Sequence, residues 1–258
     1  MSSVFDHAKA LYDSLKSGQT ISPIRDDINN DIPTAYAIQQ ELVELRMNDG
    51  ERIVGKKIGL TSPAVQQQLG VDQPDYGILF HTMDRSATGT ISMGELMQPK
   101  VEGELAFVLR TDLPNADLTM DELKAAIAEV RASIEVVGSR IEGWNIRISD
   151  TIADNASSSH YILGQEGKPL AEVQTAEVRM ALKKNGTVAS EGSGADCMGD
   201  PLNAALWLAK TMAAGGRPLM KGEVLLSGAL GPMVPVENGD SFKLEVEGFA
   251  PVELRFTA

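Results

Sequence analysis

Apolar positions recur at helical spacing near the N-terminus and at alternating spacing toward the C-terminus, and this change of period divides the chain. Val4, Ala8, Leu11 and Leu15 fall three or four residues apart, as one face of a helix requires. A second run opening at Pro33 carries Ala37, Ile38, Leu42, Leu45 and Met47 and stops at the turn signal Asn48-Asp49-Gly50. A short strand is predicted over 52–57, followed by the loop Gly59-Leu60-Thr61-Ser62-Pro63, in which Ser62 is placed to cap a helix through Leu69. From about residue 86 the texture changes to short strands punctuated by Gly and Pro, with helices predicted near 119–131 and 201–214. Asp200-Pro201 forms an N-cap and first-turn pair for the second of these. The segment 222–258 holds Val224-Leu225-Leu226, 242–246 and 252–256, which read as alternating strands of a half-exposed sheet. The expectation is an α+β protein, with an N-terminal helical part containing a short strand (1–85) and a mainly β C-terminal body (86–258).

Within that body, 100–110 reads Lys-Val-Glu-Gly-Glu-Leu-Ala-Phe-Val-Leu-Arg, an apolar strand interrupted by two acids. Strand side chains alternate, so Glu102 and Glu104 share a face with Ala106 and Val108, while Val101, Leu105, Phe107 and Leu109 line the other. Two ionised carboxylates one pleat apart in such a strand cost on the order of several kcal/mol, unless a cation compensates or one keeps its proton. A third acid, Glu135, stands in Ala-Ser-Ile-Glu-Val-Val-Gly, flanked by β-branched residues. Three carboxylates suit a hard, oxygen-seeking ion such as Mg²⁺ or Mn²⁺ with open positions for water or substrate. The plainer alternative is an edge strand with a solvated acidic face, with Glu122, Glu129 and Glu135 wet on an extended helix. Ile134, Val136 and Val137 argue against that helix.

Composition narrows the classes. The chain has 258 residues, 43% of them hydrophobic, enough for a substantial core. No apolar run of membrane-spanning length and no signal-peptide pattern occur, so the expected location is the cytoplasm. A net charge of -13 disfavours nucleic acid as a partner and means that an anionic substrate needs a local cation. The single cysteine, Cys197, excludes an intrachain disulfide, and its neighbour Asp196 disfavours a thiolate nucleophile.

Other polar residues allow two readings each. Lys56-Lys57 ends an apolar strand, so one side chain is expected to point inward and the other to solvent; an inward lysine is a candidate acid or base. Asp75 lies in Val-Asp-Gln-Pro-Asp-Tyr-Gly, a turn by composition, where an aspartate ordinarily bonds only backbone. His160 follows the polar run 154–159 and could be a metal ligand, but with three acids already available it reads as a neutral structural histidine or one supporting a ligand from behind. The segment 227–233, Ser-Gly-Ala-Leu-Gly-Pro-Met, offers backbone N–H groups to a ligand, or is simply a tight turn. Neither a nucleophile elbow nor a phosphate loop is present.

Taken in order, 55–61 (Gly-Lys-Lys-Ile-Gly-Leu-Thr), 70–77 (Gly-Val-Asp-Gln-Pro-Asp-Tyr-Gly), Glu102-Gly103-Glu104, 135–140 (Glu-Val-Val-Gly-Ser-Arg), 150–157 (Asp-Thr-Ile-Ala-Asp-Asn-Ala-Ser) and 228–233 resemble the 2-oxopent-4-enoate (2-hydroxypentadienoate) hydratases of aromatic meta-cleavage pathways, in the fumarylacetoacetate hydrolase superfamily. The resemblance runs from about Leu11 to Phe256; the 228–233 segment looks like the hydratases rather than their relative 4-oxalocrotonate decarboxylase. His81-Thr82 departs from the family, whose members often carry an aspartate in this segment, and leaves Asp84 shifted. The resemblance implies Glu102, Glu104 and Glu135 as ligands of Mg²⁺ or Mn²⁺, Lys57 and Asp75 as an acid/base pair, and Ser157 with the Leu230-Gly231 backbone as substrate-positioning groups. It also implies a small anionic 2-hydroxy-dienoate or 2-oxo acid substrate and a homo-oligomer, with the next pathway enzyme as a candidate partner. Decarboxylation of oxalocrotonate and a non-catalytic metal-binding scaffold stay open as alternatives.

Overall fold

The computed structural model describes residues 3–62 and 73–258. The helix expected from Ser62 through Leu69 falls largely outside these. Helix α1 (Val4–Ser17) opens with a Ser3/Asp6 capping box and closes on Gly18 in the left-handed conformation. Helix α2 (Ile32–Asn48) is capped by Asp31, whose carboxylate accepts from Thr34 N–H. Together with α4 (Ile148–Ala153) they bury Ala8, Leu11, Ile38, Leu42, Ile148 and Ile152 in a helical layer.

Among the described residues the strands form two sheets. The larger has seven strands: β2 (Asp75–Phe80), β1 (Ile53–Gly59), β9 (Val224–Leu226), β4 (Lys100–Leu109), β5 (Ile127–Val137) and β6 (Ser158–Leu163) in that order, with β10 (Val234–Pro235) on β4. The smaller runs β3 (Thr90–Ser92), β12 (Val252–Thr257), β11 (Ser241–Val246), β7 (Arg179–Lys184) and β8 (Thr187–Ser193). Val101, Leu105, Phe107, Ile134 and Val136 of the large sheet meet Met180, Leu182, Phe242, Leu244 and Phe256 of the small one in the main core. Gly103 lies between the two glutamates of β4 because a Cβ there would stand 2.5 Å from Leu244 Cδ1 across the core. Helices α3 (Met120–Ala126) and α5 (Pro201–Ala214), the latter on its expected Asp200 cap, add Leu123, Leu208 and Met212 to the same core.

Four expectations change. The helix predicted to reach residue 131 ends at Ala126, and 127–131 are strand, because this stretch pairs along its length with β4. Strand β9 is not part of a half-exposed sheet: it is buried between β1 and β4, as its unbroken Val-Leu-Leu run suits. Asp75 is the first residue of β2, paired with Gly59, rather than a turn residue. Both lysines of β1 are buried, at 3% exposure each; Lys56 forms a close ion pair with Glu223, so neither points to solvent. The large sheet draws β1 and β2 from before residue 86 and its other strands from after it. No described helix is long and apolar enough to cross a membrane.

Candidate active site

The antiparallel register of β4 and β5 sets Glu102 directly opposite Glu135, with Glu104 one pleat further along opposite Ser133. Cross-strand partners share a face, so the three carboxylates converge, each offering an oxygen within 4.8 Å of the others. Glu104 and Glu135 are fully buried and Glu102 is 8% exposed, which removes the solvated-face alternative. Glu104 Oε2 accepts from the N–H of Gly228 at 3.0 Å. Among the described residues, Glu104 Oε1 and both oxygens of Glu135 lack a well-formed hydrogen bond.

Lys57 reaches the cluster from β1, with Nζ 3.2 Å from Glu135 Oε2. Asp75 approaches from β2, and the missing side chain of Gly59 makes room for both: a Cβ there would lie 2.2 Å from Asp75 Oδ1 and 3.6 Å from Lys57 Nζ. Asp75 is 1% exposed, and neither of its oxygens has a well-formed hydrogen bond among the described residues.

Four buried carboxylates therefore face the Lys57 ammonium, with Lys100 acting more weakly on Glu102, and the proton affinities register the imbalance. Burial, reinforced by Glu135, pushes Glu102 up to about 7. Burial pushes Glu104 well above the ordinary carboxylate range, with Glu135 and Glu102 adding to it. Asp75 rises to about 6, again through burial, against the pull of Lys57. Glu135 is raised by burial, with Lys57 opposing. Burial by itself would draw Lys57 down, but Glu135, Glu102, Asp75 and Glu104 outweigh it and hold the ammonium form. Orphaned, oxygen-only donors carrying excess negative charge fit a hard divalent cation, which would neutralise the cluster where one lysine does not.

The remaining site residues are placed as follows. Ser157 ends the turn Asn155–Ser157, is buried, and holds its Oγ 3.1 Å from Thr151 Oγ1. The Leu230 N–H donates to Gly103 C=O at 2.9 Å, so it is engaged by β4, and the Leu230-Gly231 backbone lies against Ser190, Glu191 and Gly192 of β8. In the same loop it is Gly228 whose N–H reaches a site carboxylate. The sequence pointed to backbone N–H groups of 227–233 without distinguishing Gly228 among them, and gave Gly59 no role; its signal was a glycine within the 55–61 motif. Asp84 does not join the acids: it is exposed and accepts from Ser86 N–H. His160 also lies outside the acid cluster, bonded to Ser159, and burial with Arg85 pushes it down to about 4, leaving it neutral. Burial drives the Cys197 thiol up to about 12, which agrees with an inert thiol.

Residues 52–257 match the family model described as fumarylacetoacetate (FAA) hydrolase C-terminal. The chain belongs to the fumarylacetoacetate hydrolase family. It is 49% identical over 250 residues to TodF product hydratase of Pseudomonas putida strain F1, covering 96% of this chain and 93% of that one. It is 47% identical over 256 residues to 2-keto-4-pentenoate hydratase of Burkholderia vietnamiensis strain G4, covering 99% and 98%. Among solved structures it is similar to 4-oxalocrotonate decarboxylase from Pseudomonas putida G7, complexed with magnesium and adipate, with a TM-score of 0.94, 31% identity and coverage of 98% and 97%.

Proposed function

We propose that this chain is a metal-dependent hydro-lyase that adds water to 2-hydroxypenta-2,4-dienoate (2-oxopent-4-enoate) and releases 4-hydroxy-2-oxopentanoate. The observation that carries the reading is the buried Glu102, Glu104 and Glu135 cluster with Lys57 and Asp75 beside it, in a chain whose relatives at 47–49% identity are named hydratases. Glu102, Glu104 and Glu135 would hold a Mg²⁺ or Mn²⁺ ion, which would supply Lewis acidity for charge developing on the substrate.

The chain's own residues handle protons and position. The dienol gains a proton at C5 and loses its enol proton, giving the 2-oxo-3-enoate; water then adds at C4 and a proton at C3. Lys57, kept protonated by its acidic neighbours, is suited to balance an anion and would give up its proton only where a cation offsets those neighbours, and Asp75, raised to about 6, is suited to take a proton near neutral pH. Ser157 and the Gly231 backbone would orient the substrate, the Leu230 N–H being held by Gly103 C=O. The burial of Asp75 and Glu104, at 1% and 0% exposure, strengthens the charge interactions they make. The same reading carries a homo-oligomeric enzyme acting in the cytoplasm.

The test is a substrate panel with Mg²⁺ or Mn²⁺ supplied. Conversion of 2-hydroxypenta-2,4-dienoate to 4-hydroxy-2-oxopentanoate without CO₂ release is the expected result. CO₂ release from 4-oxalocrotonate with no hydration of the dienoate would assign the decarboxylase instead, and no turnover of either would leave a metal-binding scaffold.

A further inference from the structure

Strand β2 carries Asp75 and, among the described residues, lies at the rim of the large sheet with β1 as its strand partner. Its outer edge is closed by side chains. Asn155 Oδ1 accepts from Ile78 N–H at 2.7 Å, and Asn155 Nδ2 donates to Ile78 C=O at 2.9 Å. A primary amide offers the donor and acceptor of a peptide group, so Asn155 acts as a one-residue strand partner. Gln39 Nε2 adds a bond to Tyr76 C=O at 2.9 Å.

Reaching this edge requires an uncommon backbone. Asn155, Ala156 and Ser157 have φ values of 54°, 50° and 54°, three consecutive residues with side chains in the left-handed region. Such a run persists only where its surroundings hold it. Here one guanidinium grips both ends: Arg140 Nη2 donates to Asp154 C=O at 2.6 Å and Nη1 to Ser158 C=O at 3.1 Å. Arg140 also forms a buried ion pair with the Asp154 carboxylate, and Asn155 Nδ2 makes a further bond to Ser158 Oγ at 2.7 Å. On the strand side, Gly77 admits the turn, since a Cβ there would stand 2.3 Å from Asn155 C=O. Gly77 is the cross-strand partner of Lys57, two residues from the Asp75–Gly59 pair.

We propose that Asn155 is a positioning residue for proton transfer: by completing the outer edge of β2 it holds Asp75 against Gly59 and beside Lys57, with Arg140 and Asp154 keeping it in place. The reason is that the Asp75 carboxylate has no well-formed hydrogen bond among the described residues and is favoured only by the nearby backbone of Gly59 and of Asp75 itself, so the pairing of β2 with β1 locates it. The proposal rests on the reading of Lys57 and Asp75 as the proton-transfer pair.

Two substitutions test it at saturating Mg²⁺. Asn155→Asp keeps the acceptor for Ile78 N–H but turns an acceptor toward Ile78 C=O, and Asn155→Gly removes the amide while tolerating the left-handed backbone. Each is expected to lower kcat roughly tenfold or more, the scale of a misplaced catalytic group, with KM and Mg²⁺ stoichiometry kept. The solvent deuterium isotope effect on kcat should rise as proton transfer becomes limiting, and amide exchange at Ile78 should quicken. A kcat loss with an unchanged isotope effect would mean fewer folded sites and would overturn the proposal. Wild-type kcat despite faster Ile78 exchange, or unchanged exchange, would overturn it too. Inactivity of the wild-type enzyme on the dienoate would instead count against the hydratase reading, while Ile78 exchange still reports whether Asn155 holds β2.

Discussion

Individual side chains in this site are defined by what they lack. Glu104 is fully buried with one oxygen on Gly228 N–H and the other without a hydrogen bond among the described residues, so its stability depends on a cation or a proton. Removing metal with EDTA should abolish turnover and Mg²⁺ or Mn²⁺ should restore it; Glu104→Gln should weaken the ion by roughly tenfold or more, as measured by calorimetric titration. Full activity in stringently chelated enzyme would refute the metal requirement. Lys57 separates two roles. As a proton-transfer group, Lys57→Met should cut kcat by roughly 10²-fold with substrate binding largely kept; as a counter-charge, it should raise KM, and Lys57→Arg should rescue. The pH dependence follows from Glu102 at about 7 and Asp75 at about 6, above their ordinary values of 4.5 and 3.8. In the folded, metal-free enzyme these groups bind protons more tightly than in the unfolded chain. Their contribution to stability is therefore full below about pH 4 and lost as pH rises through about 7. A cation displaces those protons, so the rise in Tm on adding Mg²⁺ should be larger at about pH 8 than at about pH 5.5. Thermal melts with and without EDTA check it, and an equal rise at both would contradict the assignment.

At the scale of elements, glycines set how closely strands and loops approach. Gly55 is the clearest case: a Cβ on it would stand 2.0 Å from the Val224 carbonyl oxygen of β9, a backbone atom with no freedom to rotate away. Gly55→Ala should cost about 1–3 kcal/mol of unfolding free energy by forcing the two strands apart. Because Lys57 is two residues further along β1, activity should fall as well. Chemical denaturation of the variant, with a kcat measurement on its folded fraction, tests both parts. The same logic explains β5. It buries both faces over 132–137 and is paired with β4 at ten positions, a gain that no isolated helix over 119–131 matches.

For the whole molecule, the homo-oligomer carried by the proposed function gives a solution prediction: a closed symmetric assembly, seen in static light scattering as a multiple of 27.6 kDa. A 27.6 kDa particle at micromolar concentration would refute it. Much of the architecture was legible in the chain. The period of Val4, Ala8 and Leu11 marked α1, the Asp200-Pro201 pair marked α5, and alternation marked β11 and β12, because caps and faces are local properties that a few neighbouring residues determine. The acids were legible as well, since two glutamates in an apolar strand are costly wherever that strand lies. Register, edge and approach were not. That Glu102 faces Glu135, that Asp75 begins a strand beside Lys57, and that an asparagine 77 residues beyond Ile78 closes the edge of β2 all depend on pairings between distant segments. Local sequence sets which face a side chain takes; only the assembled sheets set which side chains meet, because hydrogen-bond register and sheet-to-sheet packing are decided by the partner strand.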